Sequence, residues 1–240
     1  MVSKPTVESS VPLEKPFLAI DANFKSSMHP IDLQVESIIN WTNDLFGPEH
    51  IVKAKEEFFW KTGKIFHDEF EYHNRMSYFI DFYVFQRILE AQDPKFQGQT
   101  PFMAYAELNP TNASMIHEFR HSIFKIQKIN EKHLTIKDLI TKTQHKISKR
   151  DHEIFVGIEK SSLFQGFVYF SKNKIFISRG LIFHPKESAS LVNKSIKILK
   201  KIDDFDEVKF LCQTAKCQLK RLRHPHIDLK TFYDHKTLMS

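Results

Sequence analysis

The hydrophobic period of the chain changes once, at Ser122, and no single motif restricts the fold as strongly. Before Ser122 apolar residues recur at helical intervals; after it they alternate. Pro30 begins the first helical pattern, with Ile31, Val35, Ile38, Ile39, Thr42, Leu45 and Phe46 on one stripe, and Gly47–Pro48 stops it. A second helix is expected with Ile51, Val52, Phe58 and Phe59 inward and Gly63 at its end. The third and longest is expected from about Asp68 to Gln92. Aromatic residues from Phe70 to Phe85 surround it, and Asp68, Glu69 and Glu71 sit in its first turn, where the helix dipole favours acids. GQTPFMAYAELNP and TNASMIHEFRH suggest two short helices.

Beyond Ser122 the segments SIFKIQKI, HLTIKDLI, HKISKR, EIFVGIEK, SLFQGFVYF and KIFISRGLIF are short, rich in β-formers and separated by polar turns. SKNK (Ser171 to Lys174) reads as a hairpin turn. Such a run predicts a small antiparallel barrel or curled sheet. Two helices follow, from Lys186 to Lys201 and from Asp206 to Arg223. The fold class is therefore α+β: an N-terminal helical bundle, a small antiparallel β-barrel or curled sheet, and two C-terminal helices. The expected boundaries are a flexible tail over 1–28, a helical domain over 29–121, a β domain over 122–185, and basic helices with a tail over 186–240.

The pieces SIFKI (Ser122 to Ile126) and LTIKDLIT (Leu134 to Thr141), placed after an all-helical half, carry a resemblance. The chain resembles a group of uncharacterised bacterial proteins in which a helical region precedes a small β domain opening with similar strands. The likeness spans roughly the middle two thirds of the chain and implies architecture only, because a fold does not carry an activity with it.

Composition narrows the class. Phe occurs 23 times against 6 Gly, far too much aromatic surface for a disordered chain. Net charge is +6, which suits an anionic partner such as nucleic acid. Two cysteines make no disulfide framework, no apolar run approaches the roughly 20 residues of a membrane helix, and the N-terminus lacks a signal-peptide core. A cytoplasmic protein is expected. There is no Gly-rich phosphate loop, no G-x-S-x-G, no dinucleotide fingerprint and no kinase signature.

One chemical motif stands out. His117, Glu118 and His121 spell H-E-x-x-H, which on a helix brings two imidazoles to one Zn²⁺ with Glu118 as general base. Its surroundings argue against a hydrolase. Arg120 intervenes where such helices are uncharged, a third ligand would have to be Glu131, Glu153, Glu159 or a distant His without supporting context, and a strand begins at Ser122. On this reading His121 is the last residue of a helix, and zinc with His117, His121 and Glu118 is the alternative function.

Two other clusters read as structural. His67, Asp68, Glu69, Glu71 and His73 lack the Glu-x-x-His pattern of a di-iron bundle. Cys212 and Cys217 lie about 140° apart on a helix and cannot share a metal. Cys212 instead falls on an apolar stripe with Val208, Leu211, Ala215, Leu219 and Leu222.

The last helix also carries Lys209, Lys216, Lys220 and Arg223 within an arc of about 60°. Such a row can track phosphates. Lys194, Lys197, Lys200 and Lys201 add charge on the helix before it, while Phe164, Phe167, Phe170 and Phe176 are candidate base-stacking residues or, as strand aromatics more often are, core. The sequence thus favours a non-enzymatic binding protein, without cofactor, that meets a nucleic acid or a protein through its basic C-terminal helices.

Overall fold

A computed structural model describes residues 29–90, 94–131, 133–149 and 158–239. The expected tail over 1–28 and most of the EIFVGIEK strand lie outside these residues.

Helix α1 spans Pro30–Phe46. The His29 ring accepts the Ile31 N–H at 3.3 Å, and Gly47 ends the helix at φ 81°. Helix α2 spans Glu49–Thr62 and ends at Gly63, φ 90°. Helix α3 spans Tyr72–Phe85, shorter at both ends than the aromatic run suggests. Asp68, Glu69 and Phe70 belong to the loop before it, and Glu71 is its cap. The acids expected in a first helical turn bond elsewhere: Glu69 accepts the Phe66 N–H and the Arg223 guanidinium. A 3-10 turn at Pro94–Phe96 and helix α4, Pro101–Leu108, complete the helical half.

The strands are β1 Glu118–Ile129, β2 His133–Asp138, β3 Gln144–Ser148, β4 Leu163–Ser171, β5 Lys174–Ile177 and β6 Ile182–His184. They form one antiparallel sheet in the order β3-β2-β1-β4-β5, with β6 pairing the other stretch of β4 that faces away from β1. The sheet curls, so that Ile147 of β3 and Ile177 of β5 share one core with Phe124, Ile136 and Phe164. The turn expected at SKNK is present: Ser171 pairs Lys174, and Lys172 takes φ 49°. The segment KIFISRGLIF, expected as one strand, is split into β5 and β6.

That split has a physical cause at Gly180. A Cβ there would lie 2.3 Å from the Tyr78 nitrogen and 2.4 Å from its Cα, so the β5–β6 connection touches the α3 backbone. Neither backbone can yield cheaply. Gly180→Ala is expected to cost about 3 kcal/mol, measured as a loss of unfolding free energy in urea; an unchanged midpoint would refute this contact.

Helices α5 (Ser188–Leu199) and α6 (Glu207–Arg223) follow, then short α7 (Leu229–Tyr233) and α8 (His235–Met239). Asp206 caps α6 by accepting the Lys209 N–H at 2.9 Å. The α6 helix is buried on two sides. Cys212, Ala215 and Leu219 enter the core made by α1, α2, α3 and one face of the sheet, whereas Leu211 and Cys217 enter a second core with α5, α7 and α8. Of the expected α6 stripe, only the ends fail to bury: Val208 and Leu222 are exposed.

Polar clasps hold α6 in place. Arg75 of α3 is fully buried and makes no ion pair among the described residues. Its guanidinium donates to the carbonyls of Thr62, at the end of α2, and Ala215, and to Gln218 Oε1 at 2.6 Å. Burial pulls its pKa down to about 10, still high enough to keep the charge. Gln165 of β4 donates to the Leu211 carbonyl at 2.9 Å and to the Tyr78 hydroxyl, which in turn meets His121 Nε2 at 2.6 Å.

Candidate functional site

The H-E-x-x-H residues are not on a helix. Glu118 opens β1, and the His117 N–H already bonds the Phe170 carbonyl, extending the ladder with β4. The motif is therefore corrected from a helix end to the start of the central strand. Phe119, His121 and Ile123 alternate inward, and that period of two decides the local structure. In extended chain, His117 and His121 lie roughly 13 Å apart and Glu118 points to the opposite face. His117 and Glu118 are exposed, whereas His121 is buried and stacks on Phe167 with ring centroids 4.2 Å apart. The three side chains do not converge on one metal ion. Among the described residues, no group of three or more His, Cys, Asp or Glu is arranged to hold one.

The lysine row is continuous with a groove between α2 and α6. The groove measures about 350 Å³ and is lined by Trp60 and Lys61 from α2, by the α6 cap Asp206, and by Val208, Lys209, Cys212, Gln213 and Lys216 from α6. The helices approach closely because α2 ends at a glycine: a Cβ on Gly63 would meet Leu219 Cδ2 at 3.1 Å and Lys216 Cγ at 3.7 Å. The Trp60 ring is 77% exposed. In the run Phe58-Phe59-Trp60, successive helical positions differ by about 100°, so three bulky rings cannot all face the core. Phe58 takes the buried position and Trp60 the solvent.

The expected anion residues fall into two groups. Lys209, Lys216 and Lys220 make no ion pair among the described residues. Arg223 is committed: it donates to both Glu69 oxygens, at 2.6 and 3.0 Å, and to the Lys64 carbonyl at 2.7 Å. It fixes the loop after α2 against the end of α6 and holds the Glu69 carboxyl below its ordinary range. Phe66, 52% exposed, lies beneath the Lys64 ammonium at 5.3 Å and the Arg223 guanidinium at 6.0 Å. Phe70, in the same loop, is 94% exposed. Lys61 has its charge answered by Glu57 at 2.6 Å.

No protein-family model matches the chain, and no curated protein or solved structure matches it either. Chemistry within the groove is therefore the guide. Burial pushes the Cys212 thiol up to about 12, so it is protonated and inert at neutral pH. Lys209, Lys216 and Lys220 supply positive charge along the helix, Trp60 and Phe70 supply exposed aromatic rings, and Phe66 keeps about half of its surface open beneath two cations. The strand phenylalanines named from the sequence do not take part: Phe164, Phe167 and Phe176 are buried core, and Phe170 packs on the inner core of the sheet. Exposed rings leave no distinct signal in a sequence, because an aromatic residue next to core aromatics looks the same whether it faces the core or the solvent.

Among the described residues no helix is long and apolar enough to cross a membrane.

Proposed function

We propose that the protein binds single-stranded nucleic acid along the α2–α6 groove and its adjoining loop. The observation that carries this reading is the coincidence of solvent-facing aromatic rings with lysines that make no ion pair among the described residues. Lys209, Lys216 and Lys220 would meet successive phosphates, and unstacked bases would lie on Trp60 and Phe66. A duplex hides its base faces, so stacking selects single strands. The overall charge of +6 favours the same class of partner. Cys212 and Cys217 are free and buried, which suits a reducing compartment, and we place the protein in the cytoplasm.

Trp60 gives a direct test, because Trp41, the other tryptophan, packs against Phe96 and Tyr105. Addition of a single-stranded oligonucleotide is expected to quench Trp60 fluorescence. Trp60→Ala should weaken binding by about 1–3 kcal/mol, the usual worth of one stacked base. Unquenched fluorescence, with affinity indifferent to Trp60→Ala, would sink the proposal.

A further inference from the structure

The helical layer covers only part of the sheet. On the helix-facing side of β1 it covers Phe119, His121 and Ile123, whose side chains enter the two helix-packed cores. The next residues on that side are Lys125 and, past a register shift between Ile126 and Lys128, Lys128 itself. Lys125 sits opposite Lys137 of β2, and Lys128 opposite Thr135, whose neighbour on β3 is Lys146. Four lysines therefore share one face of β1, β2 and β3 that the described helices do not cover. Their strand neighbours Phe124, Ile126, Leu134, Ile136 and Ile147 point the other way, into the core of the curl.

This face lacks an internal counter-charge. None of the four lysines ion-pairs among the described residues. Asp138, at the end of β2, points to the opposite side, where it accepts from Ser122 and Arg120. The positive field continues past the end of β2. Lys142 and Lys200 are tied down in the turn between β2 and β3 by the carbonyls of Leu139 and Ile140, which neutralise neither. Burial and the nearby charges of Lys137, Lys200 and Lys197 together push the Lys142 ammonium below its usual pKa. Lys142 also holds φ 70°, so the turn presents this side chain from a backbone conformation rarely used by lysine.

We infer that this lysine-bearing sheet face is a second contact for the phosphate backbone of nucleic acid, separate in its residues from the α2–α6 groove. It rests on the proposed function for the class of partner, and on charge complementarity for the surface itself. Lysines facing one another across strands lie roughly 5 Å apart, and those two residues along a strand nearly 7 Å apart. Several phosphates of one strand can be met at once on that grid. Between the lysines the face shows Thr135 and Gln144, and among the described residues no Phe, Tyr or Trp, so it would grip the backbone without reading bases.

The test is a salt titration on full-length protein. Fluorescence anisotropy is followed with a labelled single-stranded oligonucleotide of about 20 residues, longer than the roughly 4–16 that one small fold covers. The triple variant Lys125→Gln/Lys137→Gln/Lys146→Gln should lose affinity at least about tenfold at low salt. Its plot of log affinity against log salt should flatten by about 2, at roughly 0.7 per lost phosphate contact. A triple variant at exposed lysines off the sheet, Lys53→Gln/Lys230→Gln/Lys236→Gln, should keep the slope. Lys146 and the comparison lysines are exposed, Lys125 and Lys137 are half-buried, and unchanged circular dichroism checks the fold. An unaltered slope in the sheet variant, or an equal loss in the off-sheet one, overturns the inference. A silent Trp60→Ala beside a weakened sheet variant would instead remove the groove and leave the sheet face as the binding surface.

Discussion

Asp138→Asn should destabilise the protein by about 3–5 kcal/mol, the range for removing one partner of a buried ion pair. Asp138 is fully buried and has four donors on two oxygens. Oδ1 accepts from the Ser122 hydroxyl at 2.6 Å and the N–H groups of Ile140 and Thr141 at 2.7 and 3.1 Å; Oδ2 accepts from Arg120 Nε at 2.9 Å. Burial alone would raise its pKa, yet these bonds hold it below the usual carboxylate range. An amide is nearly the same size and offers only one accepting atom. Either the Ile140 turn or Arg120 then faces a second donor. Arg120 also bonds Glu207 at 2.6 Å, so the damage reaches the start of α6. The expected reading is a urea midpoint lowered by roughly 1–2 M. If the shift is no larger than for the exposed Asp203→Asn, the carboxylate does not anchor this junction.

Acidification should produce a loss of similar size without any substitution. His121 and His184 are both buried, and burial lowers both pKa values to about 3, with Arg120 and Arg75 respectively adding to the effect. In the unfolded chain both titrate near 6.5. The folded values are depressed, so their stabilising contribution is whole above pH 6.5. It falls as pH drops from 6.5 toward 3, because only the unfolded chain takes up the protons. At pH 5 each histidine should cost about 2 kcal/mol, together about 4 kcal/mol. Burial explains the direction: His121 Nδ1 and His184 Nε2 have no hydrogen-bond partner among the described residues, so a protonated ring would carry a buried, charged N–H with nothing to accept it. Denaturation curves at pH 7 and pH 5 measure the effect. His121→Phe, which keeps a ring on Phe167, should remove about half of the pH dependence. Equal stability at the two pH values would show that these rings are not held neutral by the fold.

The order of elements was legible in the sequence because local chemistry and global packing agree. Pro30 and Gly47 mark α1, Asp206 caps α6, and Ser171–Lys174 turns the chain between β4 and β5. Local signals failed where two periods coincide. HEFRH reads equally as one helical turn or as alternation, and only pairing with β4 resolves it. The aromatic run from Phe70 to Phe85 overstated α3, since an exposed Phe70 looks in sequence like a buried one. Of the candidate site, three of the four named α6 cations are free, and Arg223 is not, because its partner lies 154 residues earlier. The sheet lysines were invisible for a different reason. Polar residues alternating with core residues are ordinary on any half-buried strand. Their significance depends on where the helical layer stops, which is a property of packing.

The burial of Arg75 also imposes an order on biosynthesis. Its guanidinium finds its strongest bonds on Ala215 and Gln218, which leave the ribosome long after α3. Until then its guanidinium has one long bond, to Thr62, for support. The N-terminal helices therefore cannot close into their final packing as they emerge, although nascent domains commonly do so. The growing chain must wait, with its phenylalanines accessible to chaperones, for its C-terminal part. A messenger truncated before α6 should accordingly yield a product cleared by proteolysis rather than a smaller folded protein.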